Sequence, residues 1–344
     1  MNSEKFLEWF EQNKRALPWR KNYSPFEVWI SESLAQQTRM QQVVPYFEHF
    51  LKQFPTVQAL AAASEEKVLK AWEGLGYYQR ARNLHKAAKE IVERFDGKIP
   101  ETFDELVLLP GFGPYIAAAV ASIAFEEDVA VVDGNVLRVA TRMLTLPEDI
   151  RLPETRSTVQ KIIQEWLPKG KARNFNQALM ELGATVCLPQ KPLCSHCPLN
   201  EDCKAFELDA QEKFPVKSKK KKVSTRHFAA LYVEQNGKIL LRKRSERLLS
   251  GLYELPQVSF EPLKDNVGSI RKKFHILGVS VKSLQSIGEV FHQYTHFSQS
   301  LSIFRAELEE KPLSDFEFLD AKQLSKKPLA KVTLKALEKV RRAF

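Results

Sequence analysis

The chain has 344 residues, 44% hydrophobic and 27% charged, with a formal net charge of +10. That length suits two domains, each with its own core. The positive balance points to a polyanionic partner, nucleic acid first. A charged, amphipathic start and the want of a bilayer-length apolar run argue against a signal peptide or membrane anchor, so a cytoplasmic protein is expected.

Residues 1–206 have helical periodicity. Phe6, Leu7 and Phe10 form the apolar face of a first helix. Ser24-Pro25-Phe26-Glu27 has the form of a capping box with proline at the first helical position, so a second helix is expected to start there. Phe26, Trp29, Ile30 and Leu34 form its buried stripe. Further helices are expected over 41–53, 65–73, 79–95, 102–109, 114–124, 136–145, 155–166 and 174–186. Only Val129-Ala130-Val131-Val132 has an extended pattern.

Cys187, Cys194, Cys197 and Cys203 are the only cysteines, spaced C-x6-C-x2-C-x5-C. Four thiolates gathered on one short loop can enclose a metal centre, either tetrahedral zinc or a [4Fe–4S] cluster. His196, between two of them, is expected to be a solvated loop histidine. A basic linker is expected over 207–225, carrying the lysine run to Lys222. Beyond it, over 226–344, the pattern turns to strands. Phe228–Val233 and Lys238–Lys243 flank Asn236-Gly237, a hairpin signal. Ile287–Phe291 and Phe297–Glu307 suggest a second pair, and 328–342 a basic amphipathic helix. The second domain is thus expected to be α+β.

Leu109-Pro110-Gly111-Phe112-Gly113-Pro114-Tyr115 sits between two helical stretches. Its glycines permit a sharp turn with exposed N–H groups ahead of a helix, a suitable place for a phosphate. Asp133, after an apolar run and before a helix, is either an N-cap or a carboxylate at the mouth of a cleft. Glu32 lies off the apolar stripe of its helix; burial there would raise its pKa toward that of a general acid. Gly74-Leu75-Gly76-Tyr77-Tyr78-Gln79-Arg80 is a glycine-hinged turn whose tyrosines either stack on bases or pack in the core.

Taken together, the glycine hairpin, Asp133 and the cysteine loop resemble the endonuclease III superfamily of helix-hairpin-helix DNA glycosylases. Ser31-Glu32-Ser33-Leu34-Ala35-Gln36-Gln37-Thr38 resembles the S-E-x-x-x-Q-Q-T signature of adenine DNA glycosylases of the MutY type. Leu17-Pro18-Trp19-Arg20, Gly74 to Asn83 and Asn176 to Gly183 agree with it. The C-terminal region resembles a Nudix fold from Arg244 to Pro256, but the acidic R-E-x-x-E-E segment is absent from Ser269 to Gly278, so nucleotide hydrolysis is not expected.

The resemblance implies a multidomain fold: a mainly α-helical glycosylase domain with a [4Fe–4S] loop held by the four cysteines, and a Nudix-like domain recognising 8-oxoguanine. It implies a monomer that acts on double-stranded DNA bearing adenine opposite 8-oxoguanine or guanine. Glu32 would be the general acid, Asp133 the stabilising anion and Tyr115 an orienting group. Arg15, Leu17, Trp19 and Glu181 match the adenine pocket. Gly111 and Gly113 would anchor a phosphate. Gln37 and Tyr77 would wedge the duplex, and Tyr294-Thr295-His296 stand where the family has F-S-H. Bifunctional members carry a lysine where this chain has Tyr115, and a phenol cannot form their Schiff base; hence a monofunctional enzyme is expected. Ala35 replaces a large apolar wedge, which leaves more of the intercalation to Gln37 and Tyr77. The competing readings are an endonuclease III-like lyase, a thymine-mismatch glycosylase and a non-catalytic lesion-binding protein.

Overall fold

The computed structural model describes residues 2–218 and 223–343. The stretch 219–222 of the expected linker lies outside them. The chain divides into two compact units, Met1–Ala62 with Asn83–Lys220, and Ala63–Arg82 with Lys221–Phe344. The division thus differs from the expected cut after residue 206 in two respects: Ala63–Arg82 of the helical half belongs with the C-terminal residues, and the expected linker from residue 207 on groups with the helical unit as far as Lys220.

The helices of the chain's first half are α1 (Ser3–Asn13), α2 (Pro25–Ala35), α3 (Met40–Gln53), α4 (Val57–Ala62), α5 (Glu65–Ala71), α6 (Gln79–Phe95), α7 (Phe103–Leu106), α8 (Pro114–Phe125), α9 (Gly134–Leu144), α10 (Pro153–Trp166), α11 (Ala172–Thr185) and α12 (Lys204–Glu207). Nearly all the expected helices are present, with α4 and the short α12 additional. The expected capping box at Ser24 is not formed: its side chain makes no cap bond, and its N–H donates to Asn22 Oδ1 at 3.1 Å. Proline at the first position starts α2 instead. The expected helix over 102–109 shrinks to α7, which Thr102 caps, because the chain must turn into the Leu109–Gly113 hairpin.

Two core layers matter for the site. Helices α2 and α8 pack together, and Ile116 through Ile123 of α8 are all buried. A helix apolar on every side is a core helix. The second layer joins Phe6 and Phe10 of α1 to α9, α10 and α11 through Val136, Val139, Ile163 and Phe175.

Val129–Val132, expected to be extended, forms no strand. Its backbone groups are satisfied by side chains. Asn176 accepts from Val131 N–H at 3.0 Å and donates to Val129 O at 2.8 Å. Gln164 accepts from Ala130 N–H at 2.8 Å, and Gln160 donates to Ala130 O at 2.7 Å. Asn176 is fully buried, so Asn176→Ala strands two backbone groups. At 1–3 kcal/mol for each buried group left unmade, it is expected to lower stability by about 3 kcal/mol in chemical denaturation.

The expected linker residues 211–218 are not a free tether. Phe214 O accepts from Arg142 Nε at 3.1 Å, Val216 O from Ile150 N–H at 3.2 Å, and Ser218 N–H donates to Asp149 Oδ2 at 2.9 Å.

In the second unit one sheet runs in the order β5 (Gln257–Ser259), β1 (Ser224–Tyr232), β7 (Phe297–Leu308), β6 (Val281–Gln293). Strands β1 and β7 are parallel, with Phe228 opposite Leu301. The other sheet joins β2 (Glu234–Gln235), β3 (Lys238–Lys243) and β4 (Tyr253–Glu254), with β8 (Phe316–Leu319) also on β3. The turn at Asn236-Gly237 forms, with φ of 52° and 70°. It joins β2 to β3, however, and not the two longer strands expected, because β1 pairs into the other sheet. Helices α13 (Val267–Leu277), α14 (Ala321–Leu324) and α15 (Lys331–Arg341) complete the α+β unit.

Candidate active site

Three elements of the first unit bring Glu32, Tyr115 and Asp133 together. Glu32 comes from the middle of α2 and is only 8% exposed, where a helical glutamate is usually solvated. Tyr115 lies in the first turn of α8, and its hydroxyl donates to Glu32 Oε2 and lies 3.8 Å from Met180 Sδ. Burial lifts the Glu32 carboxyl to about 7; Asp133 pushes the same way, while the Tyr115 hydroxyl and Arg20 pull against it. Burial also holds the Tyr115 phenol well above its usual range, so it remains a donor.

Asp133 is the N-cap of the two alternatives its sequence position offered, and its charge acts on Glu32 as well. It caps α9, Oδ1 accepting from Asn135 N–H at 2.8 Å and Val136 N–H at 2.7 Å. Its Oδ2 accepts from Asn135 Nδ2 at 2.9 Å. Burial raises its pKa as well, but these three donors and Arg138 favour the anion. Both carboxyls are thus pushed up by burial, opposed by three hydrogen bonds at Asp133 and by the Tyr115 hydroxyl at Glu32.

Glu181 of α11 is buried beneath a fork of arginines. Arg15 Nε lies 2.6 Å from its Oε1, and Arg20 Nη2 2.9 Å from its Oε2. Burial pushes its pKa up, yet the two guanidinium groups outweigh that and hold it below its ordinary value. Leu17 and Trp19 are buried on the same connection, Trp19 edge-on to Phe47. Arg20 also bonds Gln177 Oε1 at 3.0 Å and Arg15 O at 3.0 Å. It thus touches one acid and biases the other.

In the hairpin, Gly111 has φ 79°, and a Cβ there would lie 2.6 Å from Asn83 Cβ. Gly113 is the N-cap of α8, which has no side-chain cap bond, and nothing lies within 4 Å of a Cβ built on it. The turn therefore leaves open space before a helix N-terminus. Gln37, exposed with φ 58°, projects from the tight turn after α2.

The four cysteines are half-buried thiols. Cys187, Cys197 and Cys203 pack against the α1/α9/α11 core. Burial pushes the Cys197 thiol up to about 12, and the other three sulfurs add to that electrostatically. Burial raises the Cys203 thiol too, and thiols held protonated in this way become thiolates only around a positive centre. Among the described residues no group of three or more His, Cys, Asp or Glu is set to hold a single metal ion. Arg142 ties the loop down, with Nη1 3.4 Å from Cys187 Sγ and 2.6 Å from Leu188 O. His196 is exposed, and its Nδ1 lies 3.2 Å from Ser195 Oγ.

The second unit contains a cavity of about 480 Å³ lined by Tyr77, Tyr294, Thr295 and His296 among others. The tyrosines of the glycine-hinged turn divide: Tyr78 is buried, while Tyr77 is 47% exposed with φ 48°. Thr295 Oγ1 lies 3.2 Å from the Tyr77 hydroxyl. The hairpin tip closes through Tyr294 N–H to Phe297 O at 2.9 Å, with those two rings stacked at 4.7 Å.

Residues 30–169 match the HhH-GPD superfamily of base excision DNA repair proteins, and residues 228–339 match the NUDIX domain. Among solved structures, a thermostable thymine-DNA glycosylase aligns with a TM-score of 0.54 and 27% identity, covering 60% of this chain and 94% of that one. A non-covalent endonuclease III–DNA complex aligns with a TM-score of 0.52 and 25% identity over the same shares. The curated relatives extend further. The adenine DNA glycosylase of Mus musculus is 34% identical over 90% of this chain and 71% of its own length. That of Homo sapiens is 33% identical over 88% and 66%, and that of Buchnera aphidicola from Schizaphis graminum 32% over 86% and 84%. The chain belongs to the adenine DNA glycosylase family.

Seen as an adenine DNA glycosylase, the chain places its expected residues in two groups. Glu32, Tyr115, Asp133, Arg15 and Glu181 gather in the helical unit; Tyr77, Tyr294, Thr295 and His296 gather in the Nudix unit. Sequence reasoning missed Arg20, Gln177 and Met180 at the first group. Arg20 and Gln177 lie within stretches that carried the family likeness, and their spacing from Glu181 on α11 was the available signal. It also missed Arg138 and Arg142, which fix the cysteine loop; arginines on an otherwise apolar helix face were their signal.

Proposed function

We propose that this chain is a monofunctional DNA glycosylase that removes adenine mispaired with 8-oxoguanine or guanine in base excision repair. The observation that carries the proposal is the buried Glu32, its carboxyl lifted to about 7 near Asp133 and hydrogen-bonded by the Tyr115 hydroxyl. The curated relatives named adenine DNA glycosylase support the choice of base.

The target adenine must leave the stack to be cleaved. Glu32 gives its proton to N7, and the C1′–N9 bond breaks with its electron pair leaving on the base. The Asp133 carboxylate stabilises the oxocarbenium sugar that remains. Water adds to C1′, and its proton returns to the Glu32 carboxylate. Tyr115 keeps Glu32 oriented, and a phenol at this position forms no imine, so the strand stays intact. Arg15, Leu17, Trp19 and Glu181 form the adenine pocket. Gly111 and Gly113 seat a phosphate, a contact that positions the duplex without reading sequence. Gln37 and Tyr77 wedge it, with Ala35 too short to help. Tyr294, Thr295 and His296 check the opposite base, which protects ordinary A·T pairs. The protein works as a monomer in the cytoplasm.

Cys187, Cys194, Cys197 and Cys203 hold a [4Fe–4S] cluster. When bound it supplies the positive centre that keeps the buried sulfurs as thiolates and fixes the loop. Removal of iron by chelation, or Cys197→Ser, is expected to abolish visible charge-transfer absorbance and lower the stability of the helical unit. Stoichiometric zinc without iron or sulfide would exclude this cofactor.

The deciding experiment is a single-turnover assay on duplexes with adenine opposite 8-oxoguanine or thymine, developed with and without alkali. Adenine loss from the lesion duplex alone, with strand breaks only after alkali, is expected. Breaks without alkali, or intact adenine, would refute the proposal.

A further inference from the structure

Building on the reading of the Nudix-unit cavity as the lesion pocket, we propose that the loop Arg244–Leu252 is a further DNA-contacting element, with Arg247 on a phosphate of the lesion strand and Leu248 against the flanking nucleotide. Arg247 and Leu248 line the same cavity as Tyr77 and Thr295. The loop is tied down along its length. Arg244 N–H donates to Leu252 O at 2.9 Å, Gly251 N–H to Arg244 O at 2.8 Å, and Leu252 N–H to Leu249 O at 3.2 Å. Arg244 Nε reaches Leu248 O at 3.0 Å, and Arg82 Nη2 donates to Ser250 O.

At the centre of this fixed loop, Leu249 has φ 59°. A leucine in the left-handed region is strained, and such strain is held where a site needs a side chain aimed. The strain turns outward two groups that the fold itself does not use. Leu248 is 47% exposed. Arg247 is exposed, and among the described residues it makes no hydrogen bond or ion pair, whereas Arg244 is committed to the buried Glu254. Lys331 adds a second positive charge to the cavity wall. An aimed cation beside exposed aromatic faces is the pairing that grips a nucleic acid backbone next to a stacked base.

The test is equilibrium binding of the full-length, cluster-loaded protein to a duplex carrying a non-cleavable 2′-fluoroadenosine opposite 8-oxoguanine or guanine, over a range of salt concentrations. Arg247→Ala is expected to weaken both duplexes roughly three- to tenfold and to lower the log–log salt slope by about 0.9, the share of one phosphate. Arg247→Lys keeps the slope. An unchanged slope in Arg247→Ala overturns the phosphate contact. Thr295→Ala provides the separate control: it is expected to narrow the preference for 8-oxoguanine over guanine. If it does not, the lesion-pocket reading itself fails, whatever Arg247 does.

Discussion

Glu32→Gln is expected to slow adenine release by at least roughly 10²–10⁴-fold, the usual worth of a general acid, while making the folded protein more stable above pH 7. The two effects have one cause. Burial holds the Glu32 carboxyl at about 7 instead of 4.5. The unfolded chain therefore ionises this group first as pH rises. Native stability is highest below the ordinary value, falls through the interval up to about 7, and has then lost on the order of 3 kcal/mol. Glutamine keeps the acceptor for Tyr115 and has no proton to lose, so it escapes this loss. In the native protein the single-turnover rate should fall as pH rises past about 7, when the acid is spent. A Glu32→Gln variant that keeps its rate, or loses stability at pH 8 in denaturation, would remove Glu32 from its role.

Asp133→Asn is expected to lower the single-turnover rate by about 10²–10³-fold with little change in affinity for the mispaired duplex. Asparagine is as good an N-cap as aspartate, so α9 should survive. What it lacks is the charge facing the developing cation, and removing one preorganised electrostatic partner has about that effect. Asp133→Ala also loses the cap, and its thermal midpoint should fall where that of Asp133→Asn does not. Matching losses of rate in both variants, with stability lost only in alanine, would separate the two duties of this one carboxylate. A rate preserved in Asp133→Asn would mean that a neutral group suffices.

Legibility from sequence varied with how local each feature was. Helix periodicity placed α3, α6 and α8–α11 nearly to the residue, since their apolar stripes are local. The glycine hairpin and the cysteine spacing were equally plain. Glu32 was not: on its own helix it is one glutamate among neighbours of little polarity, and only α8 closing over it explains its burial. Asp133 was ambiguous because a cap and a charge ask for the same side chain. The run Val129–Val132, expected to be extended, forms no strand: the partners of its backbone are amides from α10 and α11, which no strand rule anticipates. Strand β1 parted from its hairpin neighbour for a similar reason: a turn signal fixes the turn, and the long-range pairing with β7 fixes the sheet.

The membership of Ala63–Arg82 in the second unit has a consequence for how the chain is made. Leu69 sits against Gly251, Glu66 pairs with Lys327, and Glu73 accepts from Leu329 N–H at 2.6 Å. All three partners leave the ribosome long after α5 does. At ordinary synthesis rates the segment waits some tens of seconds with Glu66, Leu69 and Glu73 lacking their final partners. Nascent chains should therefore engage holding chaperones at this segment. A gene cut after the lysine run should give a product whose segment 63–82 is open to protease, although every helix of the catalytic half has been translated.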